Sequence, residues 1–192
     1  MQEKEYDLVR RAANGSEAAF EAIVRLYERQ VFAYAYRLLS NRQDAEEVTQ
    51  DVFVKVWRTL PSFRWESALS TWILTITRNA ATDLLRRREE PTESLWREDE
   101  NGGEYAIPVA DPSPESNPEE AYQCKERAEL VRRGIAALSP DFREILLLRE
   151  MQGLSYSDIA VVLSLEEGTV KSRINRARAA LKKILKGWNF PL

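Results

Sequence analysis

The sequence predicts an all-α protein of two small helical domains, at residues 1–88 and 121–192, joined by a flexible acidic linker at residues 89–120. Apolar residues recur at three- and four-residue steps in both blocks, which is the period of amphipathic helices. No alternating pattern of useful strand length occurs. The central segment combines many acids with proline and glycine, a composition that sustains neither a helix nor a strand.

Charge is segregated along the chain, although the net charge is only −3. Residues 1–88 carry 14 Lys/Arg and 12 Asp/Glu, residues 89–120 carry 1 and 11, and residues 121–192 carry 13 and 8. An acidic segment therefore separates two mildly basic blocks, and the whole-chain charge says little about partners. The segment fits a plain tether and an acidic functional element equally well.

The residue types narrow the possible functions. The chain has no His and one Cys, so a Cys–His pair, a Ser–His–Asp triad and an ordinary zinc site are excluded. An all-carboxylate metal site stays open, but we expect neither an enzyme nor a cofactor. The first residues lack the apolar core of a secretory signal, and no apolar stretch has membrane-spanning length. We expect a cytoplasmic protein without membrane insertion.

In the first block, helix starts are marked by capping residues. Residues 14–16 predict a turn ending in an N-cap, and an apolar stripe at helical spacing follows over residues 20–38. Asn41, three residues before Asp44, predicts the cap of a second helix with an apolar stripe over residues 48–60. The remaining predicted elements are a loop at 63–70 and a helix at 71–88.

In the second block, the spacing predicts a helix over residues 122–138. The pair Ser139-Pro140 marks the start of the next helix, with Ser as the cap. Residues 155–158 form a capping box that opens a short helix, and a turn at 164–165 leads into a longer helix reaching about residue 185. Two helices joined by a short turn, the second one basic, form the layout of a helix-turn-helix.

The last predicted helix has an apolar face and a basic face. The apolar face consists of Val170, Ile174, Ala177, Leu181 and Ile184. From Gly168 to Lys186 there are seven basic residues and no acidic one. Arg pairs with guanine and Asn with adenine in the major groove, and Lys neutralises phosphate. The alternative is a solvated basic face. The candidate DNA contacts are Lys171, Ser172, Arg173, Asn175, Arg176, Ala179 and Lys182.

Two patterns in the first block indicate binding surfaces. Glu47 and Asp51 lie four residues apart on one helix face and repel each other, which a basic partner would relieve. Stabilisation of the helix dipole is the alternative explanation. Between residues 63 and 88, aromatic and basic residues are interleaved, a composition that suits single-stranded nucleic acid. For Trp65 and Trp72, simple core packing is the alternative.

Five segments together resemble the extracytoplasmic-function (group IV) subfamily of the sigma-70 family. They are residues 44–57, 63–72, 78–79, 154–160 and 168–173. The resemblance covers both helical blocks in order, with a variable linker between them. It implies a sigma-2-like domain, a sigma-4-like domain and the function of an RNA polymerase sigma factor, which directs promoter-specific transcription initiation.

The resemblance also implies partners and residue roles. Core RNA polymerase would be bound at its β′ clamp and β flap, the clamp by Asp44, Glu47, Gln50 and Asp51. Melted DNA of the −10 element would be bound by Phe63, Arg64, Trp65, Trp72, Arg78 and Asn79. Double-stranded DNA of the −35 element would be read by the last helix. The linker would run towards the polymerase active-site cleft. An anti-sigma factor would hold the protein inactive, in some cases at the inner membrane face.

Two alternatives stay open. A free-standing transcriptional regulator with a C-terminal helix-turn-helix would explain the second block, but not the acidic helix or the aromatic loop. A nucleic-acid-processing enzyme would need a carboxylate metal cluster near the basic face. The nearest acids there are Glu150 and Asp158, which are better explained as helix-end and capping groups.

Overall fold

The computed structural model describes residues 2–89 and 118–188, and the side chains of residues 4–88 and 126–188. Within these ranges the chain is helical and has no β-strand, which confirms the all-α prediction. Most of the predicted linker, residues 90–117, lies outside the described part. The helices are α1 (Gln2–Ala13), α2 (Glu17–Leu39), α3 (Arg42–Thr59), α4 (Leu69–Glu89), α5 (Pro118–Ala136), α6 (Pro140–Leu146), α7 (Tyr156–Leu163) and α8 (Glu167–Gly187).

The first four helices pack around one apolar core. Both predicted N-caps are present: Ser16 Oγ accepts a hydrogen bond from the Ala19 N–H at 3.4 Å, and Asn41 Oδ1 accepts one from the Asp44 N–H at 3.1 Å. The predicted stripe of α3 is buried in this core, as are residues of α2 and α4. A short 3₁₀ helix, Leu60–Ser62, follows α3. Helix α1 was not predicted, and its Val9 and Ala12 join the core.

The second core is formed mainly by α6, α7 and α8. A π-helical segment, Leu147–Met151, continues α6, and Ser155 caps α7 by accepting from the Asp158 N–H at 3.0 Å. Ser164, with φ +53°, ends α7 and turns the chain into α8. Such a left-handed residue is a common helix stop, and it sets the angle of the helix-turn-helix.

Several predicted boundaries and contacts differ from the structure. Helix α4 begins at Leu69 rather than residue 71, because Leu69 is buried and packs with the first core. Helix α5 begins at Pro118, inside the predicted linker, because the first helical position needs no N–H donor. The Ser139 side chain makes no capping hydrogen bond; its carbonyl instead accepts from the Arg143 N–H at 2.9 Å.

The predicted apolar face of α8 packs on the second core, with Val170, Ile174 and Ala177 buried and Leu181 and Ile184 partly buried. Leu185, which the prediction left out, is buried as well. The reason is close packing against α5, where a Cβ on Gly134 would lie 3.0 Å from Leu185 Cδ2. The Gly134 position, without a side chain, lets Leu185 approach helix α5.

The two halves contact each other through α4 and α7. Tyr34 and Leu74, which belong to the first half by sequence, are buried in the second core. Thr71, fully buried, donates from Oγ1 to Asp158 Oδ1 at 3.0 Å. Arg78 Nε donates to Glu144 Oε1 at 3.0 Å, forming an ion pair. The structure is therefore a closed arrangement, in which one face of α4 is covered by the helix-turn-helix half.

Candidate functional site

The basic face of α8 is open to solvent. Six of the seven candidate DNA contacts are exposed, namely Lys171, Ser172, Asn175, Arg176, Ala179 and Lys182. The seventh, Arg173, is half-buried and forms an ion pair with Asp141 at 3.6 Å. Within the described residues, Arg176 makes no ion pair or side-chain hydrogen bond. Because no partner there competes for them, the guanidinium N–H donors of Arg176 are available to a base edge or a phosphate.

Arg178, also on α8, is engaged within the protein. Its Nη2 lies 2.6 Å from Glu150 Oε1, and its Nε donates to the same oxygen at 3.0 Å. This hydrogen bond raises the pKa of Arg178. Glu150 therefore sits at the border of the basic face as a partner of Arg178. Among the described residues, no group of three or more possible metal ligands occurs near it or elsewhere.

The predicted aromatic loop is a cluster of rings with a strained backbone. The ring centroid of Phe63 lies 4.9 Å from that of Trp65 and 4.9 Å from that of Trp72. Trp65 has φ +60°, in the left-handed region that bulky residues rarely adopt. It is 39% exposed, whereas Phe63 and Trp72 pack partly against the first core. The loop thus holds one indole ring outward, where a base could stack on it.

Tyr6 of α1 supports this cluster, and sequence reasoning missed it. Its ring centroid lies 5.1 Å from that of Trp65. Helix α1 is held in turn by Glu5, whose carboxylate accepts a hydrogen bond from the Tyr27 hydroxyl on α2. Burial, followed by this hydrogen bond, raises the pKa of Tyr27. A contact between residues 59 positions apart has no local sequence signal, so the sequence alone does not reveal it.

The other candidate residues in and after the loop differ in how exposed their side chains are. Arg64 and Asn79 are exposed. Arg78 is only 27% exposed at its side chain and is paired with Glu144 of the other half. Tyr34 donates to the same carboxylate at 3.3 Å, and burial, with the charge of Glu144, raises the pKa of Tyr34. In the closed arrangement Arg78 is therefore engaged between the halves, and not presented to a ligand.

The acidic face of α3 is exposed, with one exception. Glu47, Gln50 and Asp51 all face solvent, and neither carboxylate has an ion-pair partner among the described residues. Asp44 instead points inward: its side chain is 10% exposed, and its Oδ1 lies 2.6 Å from Arg88 Nη2. Asp44 thus ties the start of α3 to the end of α4. The two exposed carboxylates keep their mutual repulsion, which favours a basic partner.

A groove between α2 and α3 adjoins this acidic face. Its volume is about 870 Å³, and Gln50 lines it together with apolar residues, three glutamates (Glu17, Glu21 and Glu28) and one arginine, Arg58. The apolar floor includes Phe20 and Trp57, whose ring centroids are 4.8 Å apart, and Val54, which is 48% exposed. An apolar floor whose rim holds three acids and one base fits a helix that has apolar and basic side chains.

Comparison with known proteins identifies the two halves. The family model for sigma-70 region 2 matches residues 23–90, which contain the acidic face and the aromatic loop. The model for sigma-70 region 4 matches residues 128–181, which contain α7 and most of α8. The chain is 37% identical to the RNA polymerase sigma-H factor of Pseudomonas aeruginosa, over 96% of this chain and 95% of that protein.

The chain belongs to the sigma-70 family, as an extracytoplasmic-function (ECF) RNA polymerase sigma factor. It is also 36% identical to the ECF RNA polymerase sigma-E factor of Escherichia coli K12, over 91% of this chain and 90% of that protein. Sigma factors are transcription initiation factors, and both halves of this sigma factor match in the order that the sequence predicted. The helix α1 with Tyr6 lies outside the matched regions.

Solved structures show the same architecture. The sigma factor RpoE from Bartonella quintana, in complex with the anti-sigma factor NepR, matches with a TM-score of 0.67 at 28% identity, over 87% of this chain and 96% of that chain. CnrH, in complex with the cytosolic domain of CnrY, has the same fold, with a TM-score of 0.68 at 24% identity, over 96% of this chain and 98% of that chain. None of the described helices of this sigma factor is long and apolar enough to cross a membrane.

Proposed function

We propose that this sigma factor binds core RNA polymerase through the acidic face and groove of its first half. The surface would receive the β′ clamp, with Glu47, Gln50 and Asp51 as contacts. Two unpaired carboxylates beside an apolar floor support this assignment, because a basic amphipathic helix would satisfy both features at once. Asp44 is left out of the contact surface, since its carboxylate already pairs with Arg88. It would act by fixing the start of α3.

The two promoter elements are assigned to opposite halves. The exposed face of α8 would read the −35 element in the major groove. Trp65, with Arg64 and Asn79, would bind melted DNA of the −10 element, and Phe63 and Trp72 would support Trp65. An exposed indole next to an exposed guanidinium supports this, because bases stack on rings while cations neutralise phosphates. We propose no catalytic role for the chain itself.

Engagement of both elements requires the closed arrangement to open. Arg78 pairs with Glu144 in the closed form, and Thr71 is covered by α7. Separation of the halves would free this face of α4 for the −10 element. The acidic segment 89–120 joins the halves by sequence, and its negative charge would suit a basic channel leading to the polymerase active-site cleft. The domains proposed are thus 1–88 and 121–192, with the described helices α4 and α5 reaching into the segment between them.

An anti-sigma factor is the proposed regulator. The Bartonella quintana sigma factor, which this chain resembles over most of its length, is bound to one. A partner that stabilises the closed arrangement would keep the −10 face of α4 covered. The protein would act in the cytoplasm, where the polymerase is, and a membrane-bound anti-sigma factor would hold it at the inner membrane face.

The observation that carries the proposal is the presence, in one chain, of an exposed basic recognition helix and an exposed acidic docking face. A free-standing regulator needs only the first. Co-purification with core polymerase separates the two functions, because a regulator of that kind binds DNA without the core enzyme. A sigma factor forms a stable complex with the core enzyme and enables transcription from specific promoters.

A further inference from the structure

A pocket of about 170 Å³ lies where the two halves meet. The end of α2 lines one side of it, and α5, α6 and the π-helical segment line the other. It shares no lining residue with the candidate DNA-binding surface or the acidic face. Its apolar part is formed by Ile135, Leu147 and Met151. The pocket is therefore a separate feature that neither promoter binding nor the proposed docking uses.

Three arginines line this pocket, and no carboxylate does. Arg37 donates to the Ala33 carbonyl at 3.1 Å, and Arg143 donates to the Leu138 carbonyl at 3.3 Å. Arg132 pairs with Glu129 at 2.7 Å, but Glu129 is not part of the lining. Carbonyl partners satisfy donors without neutralising charge. The wall thus holds more positive charge than its own partners compensate.

Two further observations show that these arginines are unfavourably placed without a bound ligand. The Nε of Arg143 is buried and has no hydrogen-bond acceptor among the described residues. Burial lowers the pKa of Arg37, and the nearby charge of Arg132 lowers it further. Buried donors without acceptors and desolvated like charges both cost free energy. A bound anion would reduce the repulsion between Arg37 and Arg132 and would bring acceptor oxygens next to Arg143.

We propose that this pocket binds a compact oxyanion, which contacts both halves of the sigma factor at once. Guanidinium groups bind phosphate and carboxylate through paired N–H donors, and Arg suits such sites better than Lys. A water molecule takes about 30 Å³ of liquid volume, so a pocket of this size admits a four-oxygen anion. Because Arg37 belongs to one half and Arg132 and Arg143 to the other, the anion stabilises the closed arrangement.

The oxyanion has two possible sources, a free phosphate or a carboxylate of this chain's own acidic segment. Residues 90–117 carry eight Asp/Glu and one Arg. A tethered carboxylate would compete with free phosphate at a high effective concentration. A full-length variant with these acids changed to Asn and Gln distinguishes the sources. Tighter phosphate binding by the variant identifies the chain's own carboxylates, and equal binding identifies a free anion.

The test is a titration of the full-length chain with inorganic phosphate at constant ionic strength, followed by heteronuclear NMR. Amide signals of Tyr36 and Ser40 in one half, and of Ile135 and Ala136 in the other, are expected to shift with one common dissociation constant. Arg37→Gln and Arg132→Gln each remove one cation and weaken phosphate binding about tenfold, as expected for a charge-assisted hydrogen bond. Arg143 is left unchanged, since its carbonyl contacts also hold the α5–α6 turn.

The matched control is Arg25→Gln, an exposed arginine of α2 that pairs with Glu21 outside the pocket. It removes the same charge and is expected to leave phosphate binding unchanged. Shifts confined to α8, or equal affinity in the control and in both pocket variants, would overturn the proposal. The pocket shares no lining residue with Glu47, Gln50 or Asp51, so core polymerase binding by the Glu47→Lys, Asp51→Lys variant tests the proposed function separately from phosphate binding.

Discussion

At the level of single residues, the arginines of α8 differ in whether a carboxylate of the protein already pairs with them. Arg173 is held by Asp141 and Arg178 by Glu150, whereas Arg176 has no such partner among the described residues. Exposed ion pairs contribute only about 0.2–1 kcal/mol, so the two paired arginines can still be recruited at a small cost. Arg176 needs no exchange of partners. It is therefore the strongest candidate for direct contact with a base.

Replacing Arg176 with Ala is expected to weaken binding to the −35 element by about 1–3 kcal/mol and to relax the preference at one base pair. The measurement is the affinity of the holoenzyme for a set of promoters with single changes in that element. Lys182→Ala is the comparison, because loss of a phosphate contact weakens all promoters alike and reduces the salt dependence. Unchanged affinity and selectivity for Arg176→Ala would remove this residue from the base-reading surface.

Tyr6 acts at the same scale, through Trp65. A tryptophan with a left-handed backbone conformation persists only when its surroundings hold it. Tyr6 and Phe63 supply the ring contacts that hold Trp65. Tyr6→Ala is expected to reduce promoter melting severalfold while leaving core polymerase binding unchanged, and Tyr6→Phe, which keeps the ring, is expected to retain melting. Permanganate reactivity of thymines in the −10 region measures this. Normal melting by Tyr6→Ala would show that α1 does not support the loop.

At the level of helices, α3 has some features that the sequence predicts and one that it does not. Its cap, its apolar stripe and its exposed Glu47 and Asp51 follow from residue type and spacing alone, since these are local properties. The inward position of Asp44 does not, because its partner Arg88 lies 44 residues away on α4. Likewise, the capping role of Asp158 is visible in the sequence, but its bond to Thr71 depends on how the halves pack.

Reversing the charges of Glu47 and Asp51, both to Lys, is expected to abolish association with core polymerase. The helix content should stay near that of the wild type, because both side chains are exposed and unpaired. Like charges at a complementary interface cost several kcal/mol. Co-purification and circular dichroism measure the two effects. The control reverses two exposed acids elsewhere, Asp83 and Glu126, and is expected to bind normally. Equal retention of both double variants would return Glu47 and Asp51 to a dipole role.

At the scale of the whole molecule, the closed arrangement depends on a few polar side chains beside an apolar contact between the two halves. Leu74 and Tyr34 supply buried area, and Glu144 accepts from both Arg78 and Tyr34. Hydrogen bonds to charged groups contribute about 1.5–3 kcal/mol. An interface of this kind can be stable in the free protein and still open when polymerase and DNA supply competing contacts.

Glu144→Gln keeps the shape of the side chain but removes its charge, so it is expected to favour the open form. Small-angle scattering of the free protein should show a larger radius of gyration, and the affinity for core polymerase should rise. Glu166→Gln, an exposed acid at the start of α8, is the control and should change neither. A radius of gyration equal to that of the wild type would mean that the Arg78–Glu144 pair does not hold the halves together.

The most direct test of the central claim is run-off transcription with purified core polymerase and a library of promoter fragments. With the wild-type sigma factor, transcripts are expected to start downstream of two shared sequence elements. The Arg176→Ala variant should alter selection only at the upstream element, and the Glu47→Lys, Asp51→Lys variant should give no specific transcript. Sequence-specific DNA binding by the chain alone, with no promoter-specific transcription when core polymerase is added, would contradict its assignment as a sigma factor.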